Sequence, residues 1–138
     1  MWPFRSRTQK RLDALQDLVN ARRRAVSAAL EIFRQAYAEF ERSEPSLNDE
    51  DQKAFIVAHG RYGYFMNVLL SDISWAEDSI HELRTAAKFA GGGGQVHLAA
   101  KFVELDSRLA RTEQTCRSLG KACAEMAEIA KPSGSRRL

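Results

Sequence analysis

Hydrophobic residues recur at alternating steps of four and three through the middle of the chain. Between residues 55 and 90 they form one seam in which a single position is strongly polar. The seam consists of Phe55, His59, Tyr62, Met66, Leu69, Ile73, Ala76, Ile80, Leu83, Ala87 and Ala90. A heptad pattern of this length is typical of a helix that packs lengthwise against other helices. We therefore predict a long helix over residues 49–90.

Two other segments carry seams with the same spacing. One extends from Leu12 to Phe40 and is interrupted by a charge at Arg22, and the other extends from Leu98 to Ala130. These seams predict helices over residues 8–42 and 95–130. The chain thus contains three predicted helices of similar length, and each has an apolar face that a neighbour must cover.

Short breaks separate the three predicted helices. Pro45 ends the first helix, and Ser46 or Asn48 can cap the second, which begins with three acidic residues. Four consecutive glycines at residues 91–94 end the second helix. Because both connections are short, neighbouring helices run antiparallel. The predicted fold is all-α: an antiparallel up-down-up bundle of three long helices with coiled-coil-like packing.

The second helix has one weak place, at Gly60 and Gly63. An internal glycine costs a helix roughly 1 kcal/mol relative to alanine, so this pair can bend or interrupt it. The seam nevertheless passes from Phe55 through Tyr62 to Met66 without a change of phase. Since a true break usually shifts the phase, we predict that the helix is continuous.

The composition indicates one folded domain. With 138 residues and a hydrophobic content of 44%, the chain is long and apolar enough for a single core. We assign the domain to residues 8–131, with a basic and aromatic lead at residues 1–7 and a disordered basic tail at residues 132–138. No apolar run is long enough to cross a bilayer, and the start lacks the apolar core of a secretory signal. We therefore expect a cytoplasmic protein.

The formal net charge is +3, and the excess of bases lies at the ends of the chain. Basic ends can recruit an anionic partner such as nucleic acid, although they also keep a small protein soluble. The candidate phosphate contacts are Arg5, Arg7, Lys10, Arg11, Arg23 and Arg24. Trp2 and Phe4 flank a proline in the lead, where they either contact a membrane surface weakly or fold back over the open end of the bundle.

Polar residues from the three helices are expected at one height of the bundle. Counting back from each turn brings Arg22, the region of Asp72, and Thr112 or Glu113 to a similar level. We predict a polar layer in which Arg22 or Arg23 pairs with Asp72 and Glu113. Such a layer fixes the register of the helices, because a buried arginine is costly unless it is paired. The functional alternative is a site that binds an anionic group.

The sequence offers no catalytic, cofactor-binding or metal-binding constellation. Glu77 and Asp78 share a helical face with His81. A carboxylate-bridged metal site requires a second copy of such a motif, and neither of the other helices carries one. Cys116 and Cys123 lie on the third seam, where burial raises the pKa of a thiol and does not activate it. We therefore expect a protein without enzymatic activity, cofactor or metal.

The second helix carries more hydrophobic residues than its seam requires. The additional residues include Tyr64, Phe65, Val68 and Trp75. We expect Tyr64 and Trp75 in particular to form an exposed aromatic patch, a feature of protein interfaces. This pattern favours a non-enzymatic protein–protein interaction module, which acts as an adaptor, a chaperone-like binder or an oligomer subunit. The alternative is an accessory nucleic-acid-binding or phosphate-binding subunit that uses the basic amino-terminal arm and the bases of the third helix.

Overall fold

A computed structural model of the chain describes residues 6–88 and 95–131. Its elements are three α-helices, α1 (Arg7–Ser43), α2 (Asp49–Lys88) and α3 (Gln95–Ala130), with a 3₁₀ turn (Glu44–Ser46) between α1 and α2. Four predicted parts of the chain lie outside the described residues: the first five residues of the lead predicted at residues 1–7, the last two residues expected in the second helix, the glycine turn at residues 91–94, and the tail at residues 132–138.

Each of the three helices packs against the other two, which confirms the predicted all-α bundle. Asp13 near the start of α1 pairs with Arg84 near the end of α2, so these helices are antiparallel. Arg61 of α2 pairs with Glu125 near the end of α3, which makes α2 and α3 antiparallel as well. Consequently α1 and α3 run in the same direction, and the topology is up-down-up.

A capping box begins α1. The Ser6 hydroxyl accepts a hydrogen bond from the Gln9 backbone N–H at 3.1 Å, and the Gln9 side-chain oxygen accepts one from the Ser6 backbone N–H at 3.2 Å. These two bonds satisfy amides that a helix start leaves without partners. The helix therefore begins at Arg7, one residue before the predicted start.

Asn48 caps the start of α2. Its side-chain oxygen accepts a hydrogen bond from the Asp51 backbone N–H at 2.7 Å. Leu47, just before it, is buried and closes the turn with a backbone bond to Glu44 at 3.1 Å. The acidic residues of the first turn then meet the positive end of the helix dipole. The connection therefore reverses the chain within a few residues, as the antiparallel packing requires.

The three predicted seams meet in one core. On α2 the seam is buried from Phe55 to Leu83 with one exception, because His59 is exposed and the neighbouring Ala58 is buried in its place. Ala87, near the end of α2, is also exposed. The helix passes Gly60 and Gly63 without interruption, so the predicted continuity is correct.

Candidate functional site

The outer face of α2 exposes an unusual number of large hydrophobic side chains. Ile56, Val57, Tyr64 and Leu70 are exposed by 64%, 53%, 64% and 41%, respectively. All four lie between residues 56 and 70 of α2, and none of them packs into the core. Among the residues that the structure describes, neither α1 nor α3 concentrates exposed hydrophobic residues in this way. This face is the strongest candidate for a binding surface.

A second heptad spacing runs along the same face, and we call it the outer seam. It consists of Lys53, Val57, Gly60, Tyr64, Asn67, Ser71, Ser74 and Asp78. Every one of these residues is exposed, in contrast to the buried seam on the opposite side of the helix. Between its two charged ends the outer seam carries only uncharged residues. The outer seam gives no apolar repeat in the sequence, because most of its residues are small and polar, and it was therefore not predicted.

The predicted aromatic patch is only partly exposed. Tyr64 faces solvent and contacts the Phe65 ring edge-on, with the ring centroids 5.2 Å apart. Phe65 and Val68 are half-buried. Trp75, expected to be exposed, is also half-buried, because two side chains of α3 cover its ring: Arg108 at 4.1 Å and Lys101 at 5.2 Å from the ring centroid. Tyr64 is therefore the exposed member of the predicted set.

The predicted pairing of the polar layer is wrong. Asp72 is buried, with 3% of its surface exposed, and its Oδ1 accepts hydrogen bonds from Nη2 of Arg108 at 2.9 Å and of Arg111 at 3.0 Å. Both arginines belong to α3, on which a spacing of three residues places them on the face beside α2. Glu113 instead pairs with Arg117, one turn further along α3, at 3.0 Å.

The two α1 arginines that were predicted to join the polar layer have other partners. Arg22 Nε donates to the Thr112 hydroxyl at 2.7 Å, and this hydroxyl in turn donates to the Leu109 carbonyl at 2.5 Å. Arg23 forms a two-point ion pair with Glu77 of α2, and its hydrogen bonds lower the pKa of the Glu77 carboxyl. Arg22 thus reaches α3 and Arg23 reaches α2, and neither reaches Asp72.

Two of the six predicted phosphate contacts are already paired with acids. Arg11 binds Asp106 at 2.6 Å, and Arg23 binds Glu77. Arg7, Lys10 and Arg24 are exposed, while Arg5 lies outside the described residues. On α3, the bases Lys101, Arg108, Arg111 and Arg117 all form ion pairs with carboxylates. This pairing reduces the positive charge that the surface of α3 can offer to a nucleic acid.

An aromatic cluster joins α1 to α2 near the first turn. It was not predicted, because the spacing within one seam does not show which residues of two helices meet. Phe40 stacks on Phe55 with the centroids 3.9 Å apart, and Phe33 stacks on Tyr62 at 4.5 Å. His59 stacks on Phe33 at 5.2 Å from the exposed side. Burial raises the pKa of Tyr62. The cluster packs the hairpin of α1 and α2 and explains why His59 can occupy a seam position without being buried.

The remaining chemistry of the described residues is sparse. Within residues 6–88 and 95–131, no group of three or more histidine, cysteine, aspartate or glutamate side chains is arranged to hold a metal ion. Cys123 is buried and Cys116 is half-buried; they form no disulfide, and burial raises the pKa of both thiols. Over the same ranges, no helix has the length and apolar character needed to span a membrane.

A cavity of about 540 Å³ opens at the end of the bundle where α1 begins. Leu12, Leu98 and Phe102 form its apolar part, and Arg11 and Arg84 contribute charge. Both arginines are held in ion pairs, with Asp106 and Asp13, respectively. The two guanidinium groups at this cavity are therefore already engaged with carboxylates.

Comparison of the chain with protein-family models, with curated proteins and with solved structures gives no match. The outer face of α2 is therefore judged on its own geometry. It is a continuous helical surface that combines exposed hydrophobic side chains with an uncharged outer seam, and that no other part of the described chain covers. A surface of this kind can pack against another helix.

Proposed function

We propose that this chain is a non-enzymatic, cytoplasmic protein-interaction module that binds a partner on the outer face of α2. The observation that carries the proposal is the exposure of Ile56, Val57, Tyr64 and Leu70 on one helical face. Burying apolar surface contributes roughly 25 cal/mol per Å². A partner that covers these side chains therefore forms a more stable complex, and each covered side chain contributes to its binding free energy.

We expect Tyr64 to contribute the largest share of the binding free energy. Tyrosine is enriched among the few residues that dominate protein interfaces, because it buries a large rigid ring and keeps a polar hydroxyl. Tyr64 is exposed, and its ring contacts the half-buried Phe65 ring edge-on. The chain would act as an adaptor, a chaperone-like binder or an oligomer subunit. Each of these roles requires a binding face and no catalysis.

Affinity capture with two matched variants tests the proposal. Tyr64→Glu places a charge at the centre of the outer face, whereas Val103→Glu places one on α3, where Val103 is exposed by 67%. Both variants are expected to fold, since both sites face solvent, and circular dichroism checks this. The wild-type chain and Val103→Glu should capture the same protein, and Tyr64→Glu should lose it. Equal capture by all three chains counts against the proposed face.

The alternative of an accessory nucleic-acid-binding or phosphate-binding subunit is disfavoured by the ion pairs of its bases. Arg11, Arg23 and Arg108 would each have to leave a carboxylate to contact a phosphate. A gel shift at low and at high salt distinguishes the two functions, because phosphate contacts give a steep dependence on salt. We expect no shift at moderate salt. A salt-sensitive shift that Tyr64→Glu leaves unchanged would favour the alternative.

A further inference from the structure

The two ends of the outer seam carry opposite charges. Lys53 and Asp78 are both exposed, and they lie at equal distances from the middle of the seam, which falls between Phe65 and Met66. Neither makes an ion pair within the described part of the chain. The seam between them is roughly 37 Å long, at 1.5 Å per residue. A partner that fits this face therefore needs an acid near Lys53 and a base near Asp78.

A second copy of the same helix supplies these charges when it runs antiparallel. We infer that the outer seam of α2 pairs with the outer seam of a second copy of this chain, in an antiparallel dimer with two-fold symmetry. Lys53 then faces the partner subunit's Asp78, and by symmetry Asp78 faces the partner subunit's Lys53, which gives two attractive pairs. A parallel pairing would instead place like charges opposite each other. The inference deepens the proposed function and rests on it.

The uncharged positions agree with the same alignment. It places Val57 opposite the partner subunit's Ser74, Gly60 opposite the partner subunit's Ser71, and Tyr64 opposite the partner subunit's Asn67. Heptad positions that face each other in this way form the contact layers of an antiparallel coiled coil. Ile56 and Leu70 lie beside the seam and extend the apolar contact. No layer places two charges of the same sign together.

The charges at the edge of the seam are also neutralised within one chain. Arg61 is paired with Glu125 at 2.6 Å, and Glu77 is paired with Arg23. Because these side chains are turned toward α3 and α1, they leave the approach of a second α2 open. The lack of free charge at the edges removes the repulsion that usually keeps two identical helices apart.

Gly60 is consistent with a close approach of two helices. A Cβ atom added there would meet nothing within 4 Å, so packing inside the chain does not require glycine at this position. Glycine costs a helix roughly 1 kcal/mol relative to alanine. A partner helix would account for glycine at this position, because the missing side chain lets the two backbones come closer.

Charge exchange tests the alignment. Lys53→Glu alone creates two acid–acid pairs in the antiparallel dimer, and Asp78→Lys alone creates two base–base pairs. Each single variant should therefore weaken the dimer by about tenfold in sedimentation equilibrium. An equimolar mixture of the two variants should restore association, because every pair between unlike chains is attractive. Single variants that associate as tightly as the wild type, or a mixture that stays weak, would overturn the antiparallel alignment.

A second pair of variants separates this inference from the proposed function. Gly60→Leu fills the outer seam, and Gly120→Leu makes the same change on α3, where the added Cβ also meets nothing within 4 Å. Only Gly60→Leu should abolish the dimer in light scattering. A wild-type chain that is monomeric at high concentration, yet captures another protein in a Tyr64-dependent manner, overturns the dimer and leaves the proposed function standing. A monomer whose capture does not depend on Tyr64 overturns both.

Discussion

The Asp72 carboxylate and the Arg108 guanidinium form an ion pair at the interface of α2 and α3, with Oδ1 and Nη2 2.9 Å apart. The second carboxylate oxygen, Oδ2, and Arg108 Nε are both buried and have no hydrogen-bond partner among the residues that the structure describes. Oδ2 is an acceptor and Nε is a donor, the kinds of atom that form the second bond of a two-point contact between arginine and carboxylate. Arg108 also covers Trp75, so one side chain links the buried acid to the aromatic ring.

The first prediction concerns this ion pair. Asp72→Ala should destabilise the bundle by about 2 kcal/mol, because it leaves the half-buried Arg108 without its acid. Arg111 binds the same oxygen but is largely exposed, so Arg111→Ala should cost less than about 1 kcal/mol. Urea unfolding followed by circular dichroism measures both values. A smaller cost for Asp72→Ala than for Arg111→Ala would contradict the central role of the buried carboxylate.

The second prediction is a pH dependence at the contact between α1 and α2. Hydrogen bonds from Arg23 lower the pKa of Glu77 in the folded chain. A lowered pKa means that the pair stabilises the fold above the pKa of an unfolded glutamate, about 4.3, and that this contribution is lost as the pH falls through the folded value. Because Arg23 is half-exposed, the contribution should be only a few tenths of a kcal/mol.

Comparison of the wild type with Glu77→Gln checks this pH dependence. The difference between their free energies of unfolding should be largest near neutral pH and should shrink in acid, below about pH 4. Glu113→Gln is the matched control, because Glu113 pairs with Arg117 within α3 and is exposed. A difference for Glu77→Gln that stays constant from pH 7 to pH 3 would show that the ion pair does not contribute.

The third prediction separates the buried and exposed parts of the aromatic cluster. Phe55 is 2% exposed and stacks on Phe40, so Phe55→Ala should destabilise the chain by about 3 to 4 kcal/mol through the lost contacts and the cavity left behind. His59 occupies the next position of the predicted seam but is exposed, so His59→Ala should cost less than about 1 kcal/mol. Thermal unfolding of both variants tests the assignment. Similar costs at the two positions would mean that His59 is a core residue.

The fold was largely predictable because the buried positions repeat. The phase of the seam from Phe55 to Leu83 depends only on spacing, and it correctly indicated a continuous helix through Gly60 and Gly63. Pro45 likewise placed the first turn, since proline cannot continue a helix. These features depend only on residues that are close in the sequence, so they can be predicted without knowledge of the contacts between helices.

The partners of charged side chains were not predictable in the same way. Arg22 and Asp72 were expected to meet because they were placed at one height, yet height along a bundle does not say which neighbour a side chain faces. Asp72 faces α3 and binds Arg108, while Arg22 contacts Thr112. The exposure of Trp75 was overestimated for the same reason, since its cover comes from α3. A rotation of a helix by a fraction of a turn decides such contacts, and heptad spacing does not specify it.

The last prediction concerns Gly60 and Gly120 as residues of the monomer. Both lie within helices, and a Cβ added at either would meet nothing within 4 Å. Alanine restricts the unfolded chain and favours the helix, so Gly60→Ala and Gly120→Ala should each stabilise the chain by about 0.5 to 1 kcal/mol. For a domain of this size, that corresponds to a rise in the unfolding midpoint of about 1 to 4 °C. Thermal unfolding at low protein concentration, where the chains are monomeric, measures the effect.

Destabilisation by Gly60→Ala under these conditions would show that α2 itself requires glycine at this position, and the need for a close partner helix would lose its support. Stabilisation at both positions, together with weaker association for Gly60→Ala alone, would instead show that glycine at residue 60 is needed for the contact between two chains and not for the fold.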